Sequence, residues 1–256
     1  MNGRLTIALD AMGGDHAPRM VVRGAGIALQ RLPDVSFLMY GREADVLPLL
    51  EKNKKLRAVT SLVHTDEMVS AEVKPSVALR SGRSSSMRLA IDSVKDGEAD
   101  AVVSAGNTGA LMAMSKFVFR TLQGVDRPAI CSFFPTLKGE SVMLDLGANV
   151  QCDARNLVDF AIMGSAFART VLGIMQPSVG LLNVGSEELK GHEALQEAAA
   201  VLREADLPGS FHGFVEGDDI AKGTVDVIVT DGFTGNIALK TAEGVSSLTT
   251  EFLRRT

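Results

Sequence analysis

The chain is poor in the patterns on which many enzymes build their chemistry. It has two cysteines, Cys131 and Cys152, without CxxC spacing. Neither a zinc site nor a structural disulfide is expected, and a reducing, cytoplasmic setting is the simplest reading. Its four histidines, at 16, 64, 192 and 212, lie outside any HxxxH or nucleophile-elbow context. No GxGxxG follows the first strand and no GxxxxGK[ST] occurs, so the usual dinucleotide fingerprint and P-loop are missing. No apolar run reaches the ~18 residues that span a bilayer, and the N-terminus runs directly into a strand-like segment, Leu5 to Leu9, rather than a signal peptide. The formal charge of −5 argues against a general nucleic-acid binder. Proline is scarce, at 8 residues against 25 glycines, which favours tight strand–helix turns over a Pro-rich linker.

What is present reads as α/β. The 256 residues, 46% apolar and 22% charged, suit one large α/β domain or two small ones. Thr6–Asp10 is predicted as the first strand, a helix runs from near Pro18 to Leu32, Ser36–Tyr40 is a second strand, Ala44–Glu51 a helix, and 58–64 a third strand. This βαβαβ order implies a mostly parallel sheet with helices on both faces, α/β/α and Rossmann-like. Asp100–Ser104 supplies another strand and 110–122 a buried helix. Ala129–Phe134 and Ser141–Asp145 are strands joined by the hairpin-like Thr136–Glu140, an antiparallel or edge excursion. A helix over Asn156–Leu172, a strand over Val179–Val184, a helix over Ala194–Arg203 and a short strand near Phe211–Val215 follow. Glu216–Asp219 reads as a polar turn, Val225–Val229 as a strand, and Ile237–Arg255 as a long helix. No linker marks a boundary, so one domain over residues 1–256 is expected.

Four strand ends share a vocabulary of small residues plus asparagine: Ser104–Gly109, Asp145–Asn149, Asn183–Ser186 and Asp231–Asn236. In a parallel sheet the carboxyl ends of the strands share one edge, where ligands bind, and strand–glycine–helix turns aim backbone N–H groups at anions. Glycine at a βα turn is often only loop chemistry; four such ends in one chain weigh toward a site. The first and last of them are expected in one sheet, facing each other across a crevice. The run 73–91 carries Lys74, Arg80, Arg83 and Arg88 with five serines and no acid. It is the natural anion grip, because arginine offers a rigid fork for phosphate; the plainer alternative is a solvated face. Lys190 follows a strand end and suits an oxyanion or phosphate contact, against the commoner state of a surface lysine pairing with Glu187. Asp10 and Asp15 flank Met12-Gly13-Gly14 as turn aspartates, and no metal is expected. Neither cysteine has a basic activating context. What remains is a site that positions anions and polarises a carbonyl, with a substrate as nucleophile.

Asp10-Ala11-Met12-Gly13-Gly14-Asp15, Ser104–Ala110, Asp145–Asn149, Leu182–Gly185 with Lys190-Gly191, and Asp231–Asn236 closely resemble the PlsX family, the phosphate acyltransferases of bacterial phospholipid synthesis. These motifs occur in family order over nearly the whole chain. The resemblance implies transfer of a fatty acyl group from acyl carrier protein to inorganic phosphate, without a cofactor. It implies a fold similar to phosphotransacetylases and isopropylmalate dehydrogenases, a homodimer, and peripheral contact with the cytoplasmic membrane, with no nucleic acid involved. In that scheme Lys190 and Asn236 steady the thioester oxygen and the oxyanion. Phosphate and substrate contacts are expected from Ser104, Gly106, Asn107, Thr108, Gly109, Arg80, Arg83, Arg88, Asn149, Asn183, Asp231, Gly232 and Thr234. A related enzyme using coenzyme A thioesters and a non-catalytic membrane-associated organiser of lipid enzymes are the alternatives. Family members run past Thr256, so the chain is expected to be C-terminally short, and they commonly carry an acid where Gln151 stands.

Overall fold

The computed structural model describes residues 4–255, which fall into two compact units, one ending at Thr121 and one starting at Leu122. The first unit holds a four-stranded parallel sheet. Its strands are β1 (Leu5–Asp10), β2 (Val35–Gly41), β3 (Thr60–His64) and β4 (Ala101–Val103), in the order β3-β2-β1-β4. The period-2 alternation of β2 explains the layering. Val35, Phe37 and Met39 pack with α1 (Arg19–Arg31), α2 (Glu43–Glu51) and α3 (Lys54–Arg57) through Val22, Ala25, Val46, Leu50 and Leu56. Tyr40, with Ala8, meets the opposite layer at Ala90 of α5 (Ser86–Lys95).

The basic, serine-rich run 73–91 becomes two helices, α4 (Pro75–Ser81) and the start of α5, with Ser85 accepting a hydrogen bond from Arg88 N as the α5 cap. A third helix, α6 (Thr108–Phe119), is capped by Asn107, whose Oδ1 accepts from Ala110 N at 3.0 Å. Ala78, Met87, Ile91, Ala110, Met114 and Val118 bury the contact among these three helices.

The second unit has a five-stranded sheet ordered β5-β6-β9-β7-β8. It opens with the antiparallel hairpin β5 (Cys131–Thr136) and β6 (Gly139–Leu144), so the predicted edge excursion is real. The parallel strands are β7 (Ser178–Leu182), β8 (Ser210–Val215) and β9 (Val227–Val229), with β6 itself parallel to β9. On one face Val142, Leu144, Val179, Leu181, Val227 and Val229 pack against α7 (Ala154–Phe167) and α8 (Glu193–Glu204) through Leu157, Phe160, Ala161, Ala198 and Leu202. On the other, Met143, Val215 and Ile228 meet α9 (Gly217–Lys222) and α10 (Gly232–Arg255) through Ile220, Ala238 and Leu239.

Three expectations change. β4 pairs with β1 while β9 lies between β6 and β7, so the Ser104–Gly109 and Asp231–Asn236 strand ends belong to different sheets; strand pairing is a long-range choice that local pattern does not encode. Glu216–Asp219 begins helix α9, held by a capping box in which Glu216 and Asp219 exchange bonds. Residues 232–236 form the first turn of α10 rather than a loop.

Candidate functional site

In the first unit the site-bearing segments converge on Asp10, a carboxylate only 2% exposed at the end of β1. Its Oδ1 accepts from Ser86 Oγ at 2.6 Å and Met12 N at 3.2 Å, and its Oδ2 from Ser104 Oγ at 2.7 Å. Ser104 Oγ in turn accepts from Gly106 N at 3.1 Å. Three segments far apart in sequence are thereby wired to one carboxylate. Gly13 sits inside this knot, where a Cβ would come within 2.5 Å of Asp10 Oδ2 and 2.8 Å of Gly106 N.

Beside the knot is a cavity of about 500 Å³ lined by Gly14, Asp15, Arg42, Ala105, Gly106 and Asn107, among others. Asn107 does double duty: beyond capping α6, its Nδ2 donates to Ala71 O and Val73 O, both at 2.9 Å. Thr108 and Gly109 open α6, and Gly109 lies against Pro75. The basic side chain in the cavity is Arg42, which the sequence reading did not single out. Its Nη1 lies 3.5 Å from Asp45 Oδ2, and its buried Nε has no hydrogen-bond partner.

Arg80, Arg83 and Arg88 are not among the residues lining that cavity. Arg80 and Arg83 are exposed. Arg88 is committed elsewhere: its Nε bonds both oxygens of Asp92 at 2.9 Å, and its guanidinium sits 5.6 Å from the Phe117 ring centre. It lines a separate groove with Lys95, Lys116 and Arg120.

In the second unit the corresponding hub is Asp145, fully buried at the end of β6. Its Oδ1 accepts from Ile130 N, Gly147 N and Ala148 N at 3.0, 3.1 and 2.9 Å, and its Oδ2 from Asn149 N and Nδ2 at 2.7 and 2.8 Å. Asn149 Nδ2 also donates to Pro128 O, and Asn149 O accepts from Gly232 N, both at 2.8 Å. Asp231 holds the other side of the α10 start, accepting from Thr234 N at 2.8 Å and Thr234 Oγ1 at 3.1 Å. Asn149, Asp231, Gly232, Thr234 and Asn236 are thus brought together, and Asn236 presents an exposed carboxamide one turn into the helix.

Asn183 and Lys190 form a second loop in this unit. Asn183 Nδ2 donates to Lys190 O at 3.1 Å and its Oδ1 accepts from Val184 N at 2.8 Å, closing the segment between them. The Lys190 side chain is 55% exposed, and its ammonium lies 4.0 Å from Glu187 Oε1. A pair this long and open contributes only ~0–1 kcal/mol and does not pin the lysine.

Both cysteines are held as thiols. Burial pushes Cys131 up to about 11. Burial, then the negative charge of Asp145, pushes Cys152 up to about 11. Among the described residues no group of His, Cys, Asp and Glu is arranged to hold a metal ion, and no helix is long and apolar enough to cross a membrane.

Residues 5–256 match the family described as "Fatty acid synthesis protein". A curated relative, the phosphate acyltransferase of Rhodospirillum centenum, is 66% identical over 256 residues, covering 100% of this chain and 72% of that protein. The phosphate acyltransferase of Parvibaculum lavamentivorans is 62% identical over 99% of this chain and 71% of its own length. Among solved structures, a phosphotransacetylase from Streptococcus pyogenes superposes with a TM-score of 0.70 at 17% identity, covering 95% of this chain and 82% of that one. The EutD phosphotransacetylase from Staphylococcus aureus gives 0.68 at 19%, over 95% and 83%. At these identities the two structures speak for the fold.

Proposed function

The chain belongs to the fatty acid synthesis protein family and is an acyltransferase that uses phosphate, and from that premise we propose how its residues divide the work. The carrying observation is identity of 66% across all 256 residues to a relative named for this activity. The acyl donor is a fatty acyl thioester of acyl carrier protein. A phosphate oxygen attacks the thioester carbonyl carbon, a tetrahedral oxyanion forms, and the C–S bond breaks. The products are acyl phosphate and the carrier thiol, which takes the proton that phosphate gives up. No side chain has to become a nucleophile.

In the first unit, Gly106, Asn107 and the opening of α6 hold phosphate, with Arg42 as the charged partner in the same cavity. The exposed Arg80 and Arg83 add positive charge on and beside α4. In the second unit, Lys190 and Asn236 donate to the thioester oxygen and the oxyanion. Donors placed where charge develops each contribute ~10²–10³ in rate. Residues 1–256 act as one acyltransferase domain. A homodimer and peripheral membrane contact belong to the same reading, on the strength of the family resemblance.

The test is phosphate-dependent release of carrier thiol from long-chain acyl carrier protein, compared with release of coenzyme A from acetyl-CoA. The first reaction is expected and the second is not. Lys190→Ala and Asn236→Ala should each slow the first by ~10²–10³; near-normal turnover in both removes these roles.

A further inference from the structure

Asp145 touches no exposed surface, yet most of what it holds lies against the start of α10. Its two oxygens gather four backbone N–H groups and one carboxamide, and with them the whole Gly147–Asn149 loop. That loop and the Asp145 carbonyl together seat the first turn of α10 at three points. Gly232 N donates to Asn149 O, and a Cβ on Gly232 would come within 2.8–3.0 Å of the Asn149 backbone. A Cβ on Gly235 would overlap the Asp145 carbonyl. Gly147, at φ +138°, packs beside Asn236, where a Cβ would stand in van der Waals contact with its Oδ1 at 3.6 Å. β9 is tied to the same place, through Asp145 N to Thr230 O at 3.0 Å and Thr230 N to Leu144 O at 2.8 Å.

We propose that Asp145 is a positioning residue: by folding the Gly147–Asn149 loop around its carboxylate it fixes the first turn of α10, and so the direction in which the Asn236 carboxamide donates. This rests on the acyl-transfer reading of Asn236 given above. A carboxylate is required rather than an amide, because every group it meets is a donor. Asparagine at 145 would turn an NH₂ toward Asn149 N or toward the three amides on the other side. A donor held a fraction of an ångström off the developing charge loses much of its effect on rate while substrate binding is largely kept.

A double-mutant cycle on the whole chain tests this, using Asp145→Asn, Asn236→Ala and the pair. Asp145→Asn should lower kcat by roughly tenfold or more with KM for the acyl carrier within about threefold, and should cost less than about threefold further in the Asn236→Ala background, since residues acting through one another are not additive. An equal loss in both backgrounds, or an unchanged kcat, overturns the role of Asp145 alone. Full turnover in Asn236→Ala overturns the reading of Asn236 and this inference with it. Amide hydrogen exchange gives a readout independent of turnover. Asp145→Asn should speed exchange at Gly147–Asn149 and at Gly232 and Gly235; unchanged protection of the α10 amides sinks the proposal. If Asp145→Asn does not fold, Gly147→Ala strains the same loop where it touches Asn236, because position 147 holds φ +138°. It should reproduce the kcat loss in the wild-type background and not in Asn236→Ala; the same loss in both overturns the proposal.

Discussion

Asp10 and Asp145 occupy equivalent places in the two units, buried at the carboxyl end of a strand with only neutral donors around each carboxylate. They are built differently. Asp10 receives two serine hydroxyls and one amide, from residues 86, 104 and 12. Asp145 receives four amides and a carboxamide, all but Ile130 N from the loop that immediately follows it. The first is a tertiary knot closed by rotatable hydroxyls; the second is a local cradle closed by fixed backbone. Hydroxyls can turn to a new acceptor when one is lost, whereas backbone amides in a closed loop cannot. Loss of the carboxylate should therefore fall harder on the second unit.

Asp145→Ala strands five donors and should cost ~3–5 kcal/mol, measured from the denaturant midpoint. Asp10→Ala should cost about 2–4 kcal/mol by the same measurement, with the hydroxyls partly finding other partners. Equal costs would break the comparison. Within the first knot, Ser86→Ala and Ser104→Ala should each cost roughly 1–2 kcal/mol, with Ser104 the more expensive because it also accepts from Gly106 N. A larger loss at Ser86 would mean the knot is centred elsewhere.

The smallest effect separates the two units by pH, since both cysteines lie in the second. The folded state holds Cys131 and Cys152 up to about 11, above the ~8.5 of a free thiol. Between those values the unfolded chain ionises first, so the stabilising effect is full below ~8.5 and fades as pH rises toward 11. Alkylation at pH 8 should be much slower for the folded chain than in urea. Asp145→Asn should speed it at Cys152 more than at Cys131, because only Cys152 is raised by that charge.

Much of the layering was legible in the sequence. The apolar run 37–40 and the β-branched run 225–229 are what burial on both faces of a sheet produces, and Thr136–Glu140 announced its hairpin. Which strand pairs with which was not legible, because β4 and β9 have the same local form and differ only in their distant neighbours. Gly232 and Gly235 looked like turn residues. In fact they permit helix where Asn149 and Asp145 press against it, a reason that lies in other parts of the chain. The site vocabulary marked strand ends that fold into hydrogen-bonded loops, but not how each residue is used. Asn107, Asn149 and Asn183 spend much of their hydrogen bonding on holding loops. Arg42 stood alone after a strand, with no pattern to mark it; only the fold of 10–15 and 104–107 around it gives it a place.

The close approach of Gly235 to the Asp145 carbonyl has a mechanical consequence. Where helices rest on sheets through leucines and valines, the spacing is set by side chains that can change rotamer and absorb small errors. At this contact a glycine meets a peptide plane, and the gap is set by atoms with no torsional freedom of their own. The seat of α10 therefore works as a hard stop. A thermal or mutational disturbance elsewhere in the helix should tilt it about this point rather than shift it, leaving the first turn closely toleranced.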